Sequence, residues 1–422
     1  MDALEPAEPV FGCRPQAVSA HVSNPSLGII ATMRLARARL AVGALTISFC
    51  LCLVSIDAAL ETRPMVSAGG LSPIADIVQQ EIARGHIPGA VVLIGRGHEI
   101  LYREAFGLRA SRPESMPMTV DTIFDLASLT KVIATTTAVM QLVERGKLDL
   151  EESASTYWRE FAAAGKQAIT IRDLLTHYSG LRPDLSLKRP WFGYETAMTM
   201  LAAERALHPT RTRYVYSDEN FAVLGELVRR VSGMPLDRYC EAYIFKPLGM
   251  MDTAFRIPRR QASRIAPTSS SGTNRHEDIV VHDPMARRMG GVAGHAGLFS
   301  TADDLAVFAA MLLDEGTFRG VRVLNRESVA LMSQPASPPA APRVRGLGWD
   351  LVSPLTIGSD ERAAGPYGHT GFTGTMIWID PASYKYVIVL SNRTYPDGRG
   401  DAQELRKAIL ALVSAPLGYA SH

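Results

Sequence analysis

Ser128 and Lys131 stand three residues apart in Phe124-Asp-Leu-Ala-Ser-Leu-Thr-Lys131. A run of apolar and small residues from Val132 to Val143, closed by Gly146, predicts a helix with Ser128 near its N-terminus. Residues three apart share a helix face, so the hydroxyl and the amine can meet without help from the rest of the fold. A serine hydroxyl is a poor nucleophile until a base takes its proton, and a desolvated lysine can be that base. The helix N-terminus adds a positive field and free N–H groups where an oxyanion would develop. Chance alone supplies about one Ser-x-x-Lys in a chain of this length. The pair therefore gains meaning only from partners elsewhere.

Tyr216, in Tyr-Val-Tyr-Ser-Asp-Glu-Asn, lies on the loop before an amphipathic helix predicted from Glu219 to Val231. A tyrosine oxygen beside a lysine ammonium would have its anion favoured and could relay protons between Ser128 and a leaving group. Taken alone, Tyr216 is better read as a packed aromatic, and Tyr214 is its competitor two residues away. Asp218 could accept from Lys131 or hold the loop. His369-Thr370-Gly371 precedes Phe372-Thr-Gly374 and a strand, where glycines let the backbone lie close to a substrate with an N–H free to donate. A lone histidine beside a strand is more often structural than functional.

Other reactive residues take plainer readings. Cys240 lies in a helical stretch and reads as a packed core thiol rather than a nucleophile. His276, His282, Asp283 and His295 match no compact zinc spacing, so no metal is expected. His177 precedes Ser179-Gly180 and is expected to secure that turn. Trp191-Phe-Gly-Tyr194 suits either an apolar cleft wall or local core packing.

The chain has 422 residues, 47% hydrophobic and 20% charged, with a net charge of +2. This suits a large-cored globular protein and excludes a basic nucleic-acid binder. Met33-Arg-Leu-Ala-Arg-Ala-Arg-Leu40, the apolar run from Leu40 to Ile56 and Asp57-Ala58-Ala59 form the three parts of a secretory signal over residues 33–59. Residues 1–32 read as an unstructured upstream extension, with translation expected to begin at Met33. The rival reading is an uncleaved anchor through residues 40–56. Either way the protein is expected outside the cytoplasm, periplasmic or secreted, with membrane contact only through that segment. Cleavage would leave Cys240 as the one cysteine of four, so stability must come from core burial.

Ser72-Pro73 opens a predicted helix closed by Gly85, and Ala90–Ile94 with Glu99–Tyr102 reads as a hairpin. A mainly helical region follows to about residue 315, including a helix to Leu313 that starts at an apparent capping box, Ser300-Thr-Ala-Asp303. Strands return at Thr375–Ile379 and Tyr386–Leu390, and a last helix runs through Leu405, Ile409 and Leu412. The expected fold is α+β, an antiparallel sheet built from both ends of residues 70–416, with flanking helices and an inserted helical subdomain.

Ser-x-x-Lys, Tyr-Ser-Asp and His-Thr-Gly, in that order, resemble the serine β-lactamase and penicillin-binding protein superfamily, in its class C-like branch. Asp173-Leu-Leu-Thr-His-Tyr-Ser-Gly180, Gly290-Gly-Val-Ala-Gly-His-Ala-Gly-Leu-Phe-Ser300 and Leu390-Ser-Asn392 extend the likeness over roughly residues 70–415. The resemblance implies a cofactor-free serine hydrolase. Ser128 would be acylated, Lys131 would be its base, and Tyr216 would protonate the leaving group and activate water. The backbone N–H groups of Ser128 and Phe372 would form the oxyanion hole, with Asp218, His369, Thr370 and Gly371 binding substrate. Asp218 stands where many relatives have asparagine, and His369 where they have lysine. Both departures disfavour β-lactam hydrolysis. The implied substrates are small molecules or peptides, peptidoglycan-type D-alanyl peptides first, small esters second and β-lactams third, with a non-catalytic sensor as the rival class.

Overall fold

Val91 to Ile94 form an unbroken apolar run, the pattern of a strand covered on both faces. Gly89–Arg96 (β1) is accordingly buried over all but its last residue. The computed structural model describes residues 71–269, 281–339, 341–351 and 365–414. The proposed extension, signal or anchor segment and His276 lie outside these residues. Strand β1 pairs antiparallel with Glu99–Ala110 (β2), which pairs with Met116–Pro117 (β3). From the other end of the chain come Tyr367–Thr370 (β4), Met376–Asp380 (β5) and Lys385–Ser391 (β6). The six-stranded order is β3-β2-β1-β6-β5-β4, so residues far apart in sequence meet at the β1–β6 ladder.

Alternation along these strands sends side chains to two cores. Ala90, Val92, Ile94, Trp378 and Val389 pack with residues of the helices Pro73–Ala83 (α1) and Gln403–Ser414 (α5). Val91, Leu93, Ile377 and Leu390 join the larger core, which includes Val139 of Thr137–Glu144 (α2), Leu224 of Asp218–Ser232 (α3) and Phe308 of Ala302–Leu313 (α4). Each such side chain withdrawn from water contributes about 1.5–3 kcal/mol. Cys240 belongs to this core: burial pushes its thiol well above the ordinary range, which leaves it unreactive. Among the described residues no helix is long and apolar enough to cross a membrane.

Two local expectations are corrected. The cap of α4 is Thr301, whose side chain accepts from the Asp304 N–H. Ser300 is instead extended in a short ladder with Phe124, its hydroxyl 2.7 Å from that of Thr253. The helix after Ser128 also opens differently: Lys131–Thr136 is a π-helical turn that runs into α2. The Thr137 hydroxyl donates to the Val132 carbonyl at 3.1 Å, and such insertions widen a helical turn.

One core residue is a liability. Glu219, on the first turn of α3, is fully buried, and burial, followed by the charge of Glu204, raises its pKa from 4.5 to about 8. The folded state binds this proton more tightly than the unfolded chain, so stability falls as pH climbs from about 4.5 towards 8. Glu219→Gln is expected to add up to about 4 kcal/mol near pH 8 and nothing below pH 4, measured by urea denaturation across that range. An equal effect at both pH values would show that charge is not the cause.

Candidate active site

Ala127 adopts φ +47°, a left-handed turn that costs a non-glycine residue about 1–2 kcal/mol. Asp125 holds this turn, its Oδ1 accepting from the Ala127 N–H at 2.8 Å. Ser128 emerges from it at the start of the helical run, and Lys131 Nζ donates to Ser128 Oγ at 2.9 Å. The Gly371–Thr375 turn between β4 and β5 is stitched to the same backbone. Thr373 Oγ1 donates to the Asp125 carbonyl at 2.6 Å and Thr375 Oγ1 to that of Leu126 at 3.0 Å. A side chain at Gly371 would collide here, since its Cβ would fall 2.4 Å from the Leu126 oxygen. The N–H groups of Ala127 and Gly371 are taken by Asp125 and Thr375. Those of Ser128 and Phe372 donate to no protein acceptor among the described residues. Both residues line a cleft of about 780 Å³ together with Tyr216, Thr370 and Gly371.

Lys131 is fully buried, which by itself would lower its pKa. The Asp218 carboxylate, 2.6 Å from Nζ, and Tyr216 outweigh that effect and raise it. Lys131 is therefore an ammonium in the resting site, a correction to the expectation of a desolvated neutral base. Burial lowers a lysine pKa only where no counter-charge is supplied. A third contact runs to the His295 carbonyl at 3.1 Å. That carbonyl reaches Lys131 because Gly294 packs against α3, where a Cβ would sit 1.8 Å from the Phe221 oxygen.

Tyr216 stands just before the Ser217 cap of α3, with Lys131 Nζ 5.0 Å from its ring centroid. His177 sets this loop. Its ring stacks on Tyr216 at 4.5 Å, and its Nδ1 accepts from the Ser217 N–H at 3.0 Å. Burial, reinforced by Arg345 and Lys131, keeps this histidine neutral. His177 is expected from sequence to secure the turn before Gly180, and its contact with the tyrosine is one that no local pattern signals. Tyr214, the competing tyrosine, packs edge-on against Tyr178 and beneath Arg343.

Two residues expected to bind substrate are engaged within the protein, Asp218 in the alternative role of acceptor for Lys131. Asp218 points to Lys131, because the first turn of α3 aims its carboxylate at the buried ammonium. His369 is buried, and burial followed by Arg345 and Lys131 lowers its pKa to about 3, so it offers no positive charge. Its Nδ1 carries the proton, being 2.9 Å from the Thr370 carbonyl, which can only accept. Donor atoms of Asp218, Asp283 and His295 gather within 4.8 Å of one another. Lys131 faces Asp218, and His295 Nε2 lies 2.9 Å from Asp283, so each carboxylate has a basic partner within the protein. His282 stacks on Phe372 at 5.5 Å. Trp191 is buried and Phe192 exposed, and neither lines the cleft.

A serine, a lysine and a tyrosine brought together beneath an antiparallel sheet edge, with two free N–H groups beside the hydroxyl, define a serine hydrolase of the β-lactamase type. Residues 74–411 match the family model described as Beta-lactamase, and the chain belongs to that family. It is 32% identical over 357 residues to a putative D-alanyl-D-alanine carboxypeptidase of Escherichia coli (strain K12), covering 75% of this chain and 81% of that protein. It is also 32% identical over 367 residues to an N-acetylmuramyl-L-alanine amidase of Bacillus subtilis (strain 168), covering 77% and 81%. Among solved structures, a penicillin-binding protein homolog from Caulobacter crescentus shares the fold with a TM-score of 0.65 at 23% identity, over 82% of this chain and 97% of that one.

Proposed function

We propose that the protein is a serine peptidase of the D-alanyl-D-alanine carboxypeptidase kind, working through an acyl-enzyme on peptidoglycan-type peptides. The observation behind this reading is the Lys131 hydrogen bond to Ser128 Oγ, beside Tyr216 and two unspent N–H groups. Ser128 Oγ attacks the scissile carbonyl and its proton passes to the oxygen of Tyr216, which acts as a phenolate held beside the positive charge of Lys131. The N–H groups of Ser128 and Phe372 hold the oxyanion. Collapse of the tetrahedral intermediate breaks the C–N bond, and Tyr216 returns the proton to the departing amine. Tyr216 then takes a proton from water as it attacks the ester, and gives that proton to Ser128 Oγ as the C–O bond breaks. The signal-like pattern of residues 33–59 supports action outside the cytoplasm, where such peptides occur.

The two relatives act, by name, on different amides, so the bond must be determined directly. Diacetyl-L-lysyl-D-alanyl-D-alanine is expected to release D-alanine, followed by chromatography. Cleavage of N-acetylmuramyl-L-alanine instead would move the activity to the sugar-proximal amide. Ester hydrolysis with neither peptide cleaved would make the protein an esterase.

A further inference from the structure

The two N–H groups left open at the cleft belong to Ser128 and Phe372, far apart in sequence, and one side chain bridges the segments that hold them. Asp125 is buried. Its carboxylate accepts from the Ala127 N–H through Oδ1 at 2.8 Å and from the His282 N–H through Oδ2 at 2.7 Å. The first bond closes the left-handed turn that delivers Ser128. The second fixes the segment that opens the short helix Pro284–Arg288. From that segment the His282 ring stacks on Phe372 at 5.5 Å. Asp283 lies 2.9 Å from Nε2 of His295, the residue whose carbonyl accepts from Lys131. The Asp125 carbonyl in turn accepts from Thr373 Oγ1, one residue beyond Phe372.

Only the ionised carboxylate satisfies both donors. An asparagine would turn its amide towards one of the two N–H groups, and a protonated acid would do the same with its hydroxyl. The ion is costly to hold. Burial raises the Asp125 pKa from 3.8 to about 6; the bonds from His282 and Ala127 oppose that rise, Asp283 adds to it and Arg287 offsets it. Burial also lowers the pKa of His282, which therefore adds no charge at neutral pH. Because folding raises the pKa of Asp125, its ionisation weakens the fold as pH climbs from 3.8 to about 6 and beyond. A neutral asparagine would close the Ala127 turn without that cost, since its side-chain oxygen makes the same bond two residues on. What it cannot do is hold His282 as well.

We propose that Asp125 is a positioning residue for acylation, its carboxylate locking the Ser128 turn to the His282 segment and so setting Ser128 Oγ and both oxyanion donors in place together. The inference rests on reading Ser128 as the nucleophile. Asp125 does not line the cleft, so it acts through Ala127 and His282 and not on the substrate.

The test follows the addition of a fluorophosphonate to Ser128 by mass spectrometry over a range of probe concentrations, which separates the bond-forming rate from occupancy of the cleft. Asp125→Asn is expected to slow the bond-forming rate about a hundredfold, the effect of losing one oxyanion donor or of a displacement of about 1 Å, with the half-saturating concentration unchanged within about twofold. Asp125→Ala should be slower still, and melting temperatures check that both variants fold. On the parent the rate should also fall as pH drops through about 6, and in Asp125→Asn this limb should vanish. An unchanged rate in Asp125→Asn, a loss confined to the half-saturating concentration, or a limb that keeps its midpoint overturns the proposal. Should neither variant fold, the parent decides: its rate must fall near pH 6 while the protein stays folded, and a flat profile overturns the proposal. If Ser128 is labelled but neither peptide nor ester is cleaved, the peptidase reading fails and this test stands. If Ser128 is not labelled at all, both fail.

Discussion

Ser128→Ala is expected to lower kcat/KM for p-nitrophenyl esters by at least about a thousandfold while moving the melting temperature by no more than about 2 °C. The hydroxyl makes one side-chain hydrogen bond, to Lys131, and lies at the cleft surface rather than in the core. Its removal therefore leaves packing intact and deletes the atom that would be acylated. Lys131, Tyr216 and the two N–H groups would remain, but they act only on a bond that Ser128 must first form. A fluorophosphonate probe should add to the folded parent protein and not to the variant. Hydrolysis by the variant within tenfold of the parent rate would assign the chemistry to another group.

Asp218→Asn is expected to pull the alkaline limb of the kcat/KM profile down by about 1–3 pH units, the shift that loss of one adjacent opposite charge produces. Asp218 and Tyr216 hold Lys131 protonated against complete burial, and the amide of asparagine cannot supply that charge. Because the folded-state pKa of Lys131 is raised above 10.5, its contribution to stability is fully present below that pH and is lost as pH rises further. Removing the carboxylate leaves a buried ammonium with a weaker partner, at a cost of about 3 kcal/mol in urea denaturation at pH 7. The direction of the shift identifies the proton acceptor. If a neutral Lys131 were the base, the same substitution would instead move the acid limb down and raise activity near pH 7.

Secondary structure was legible wherever one face of an element had to be apolar. The periodic positions of α1 and α3 and the runs in β1, β5 and β6 appear with ends displaced by one or two residues. The cap of α4 moved from Ser300 to Thr301 because Ser300 belongs to a ladder with Phe124, a pairing between distant segments. The π-helical turn at Lys131–Thr136, accompanied by the Thr137 hydroxyl bond to the Val132 carbonyl, was likewise not legible, since the apolar spacing of the run fits an ordinary α-helix as well. Among the site residues, Ser128, Tyr216, Thr370, Gly371 and Phe372 line the cleft as the motifs implied. Asp218 and His369 do not, and His177 and His295 contribute contacts that their surroundings in sequence did not reveal.

What the sequence determined by itself was the inventory and its local spacing. Ser128 and Lys131 are neighbours because three residues of helical run bring them together, and residue type alone makes one a nucleophile and the other a cation. Only the tertiary structure decided the charge each group carries. Lys131 stays protonated because α3 presents Asp218 to it, and His369 stays neutral because it is buried beside Arg345 and Lys131. Charge state depends on distance and solvent exclusion, and both are set by segments that meet only when the chain has folded.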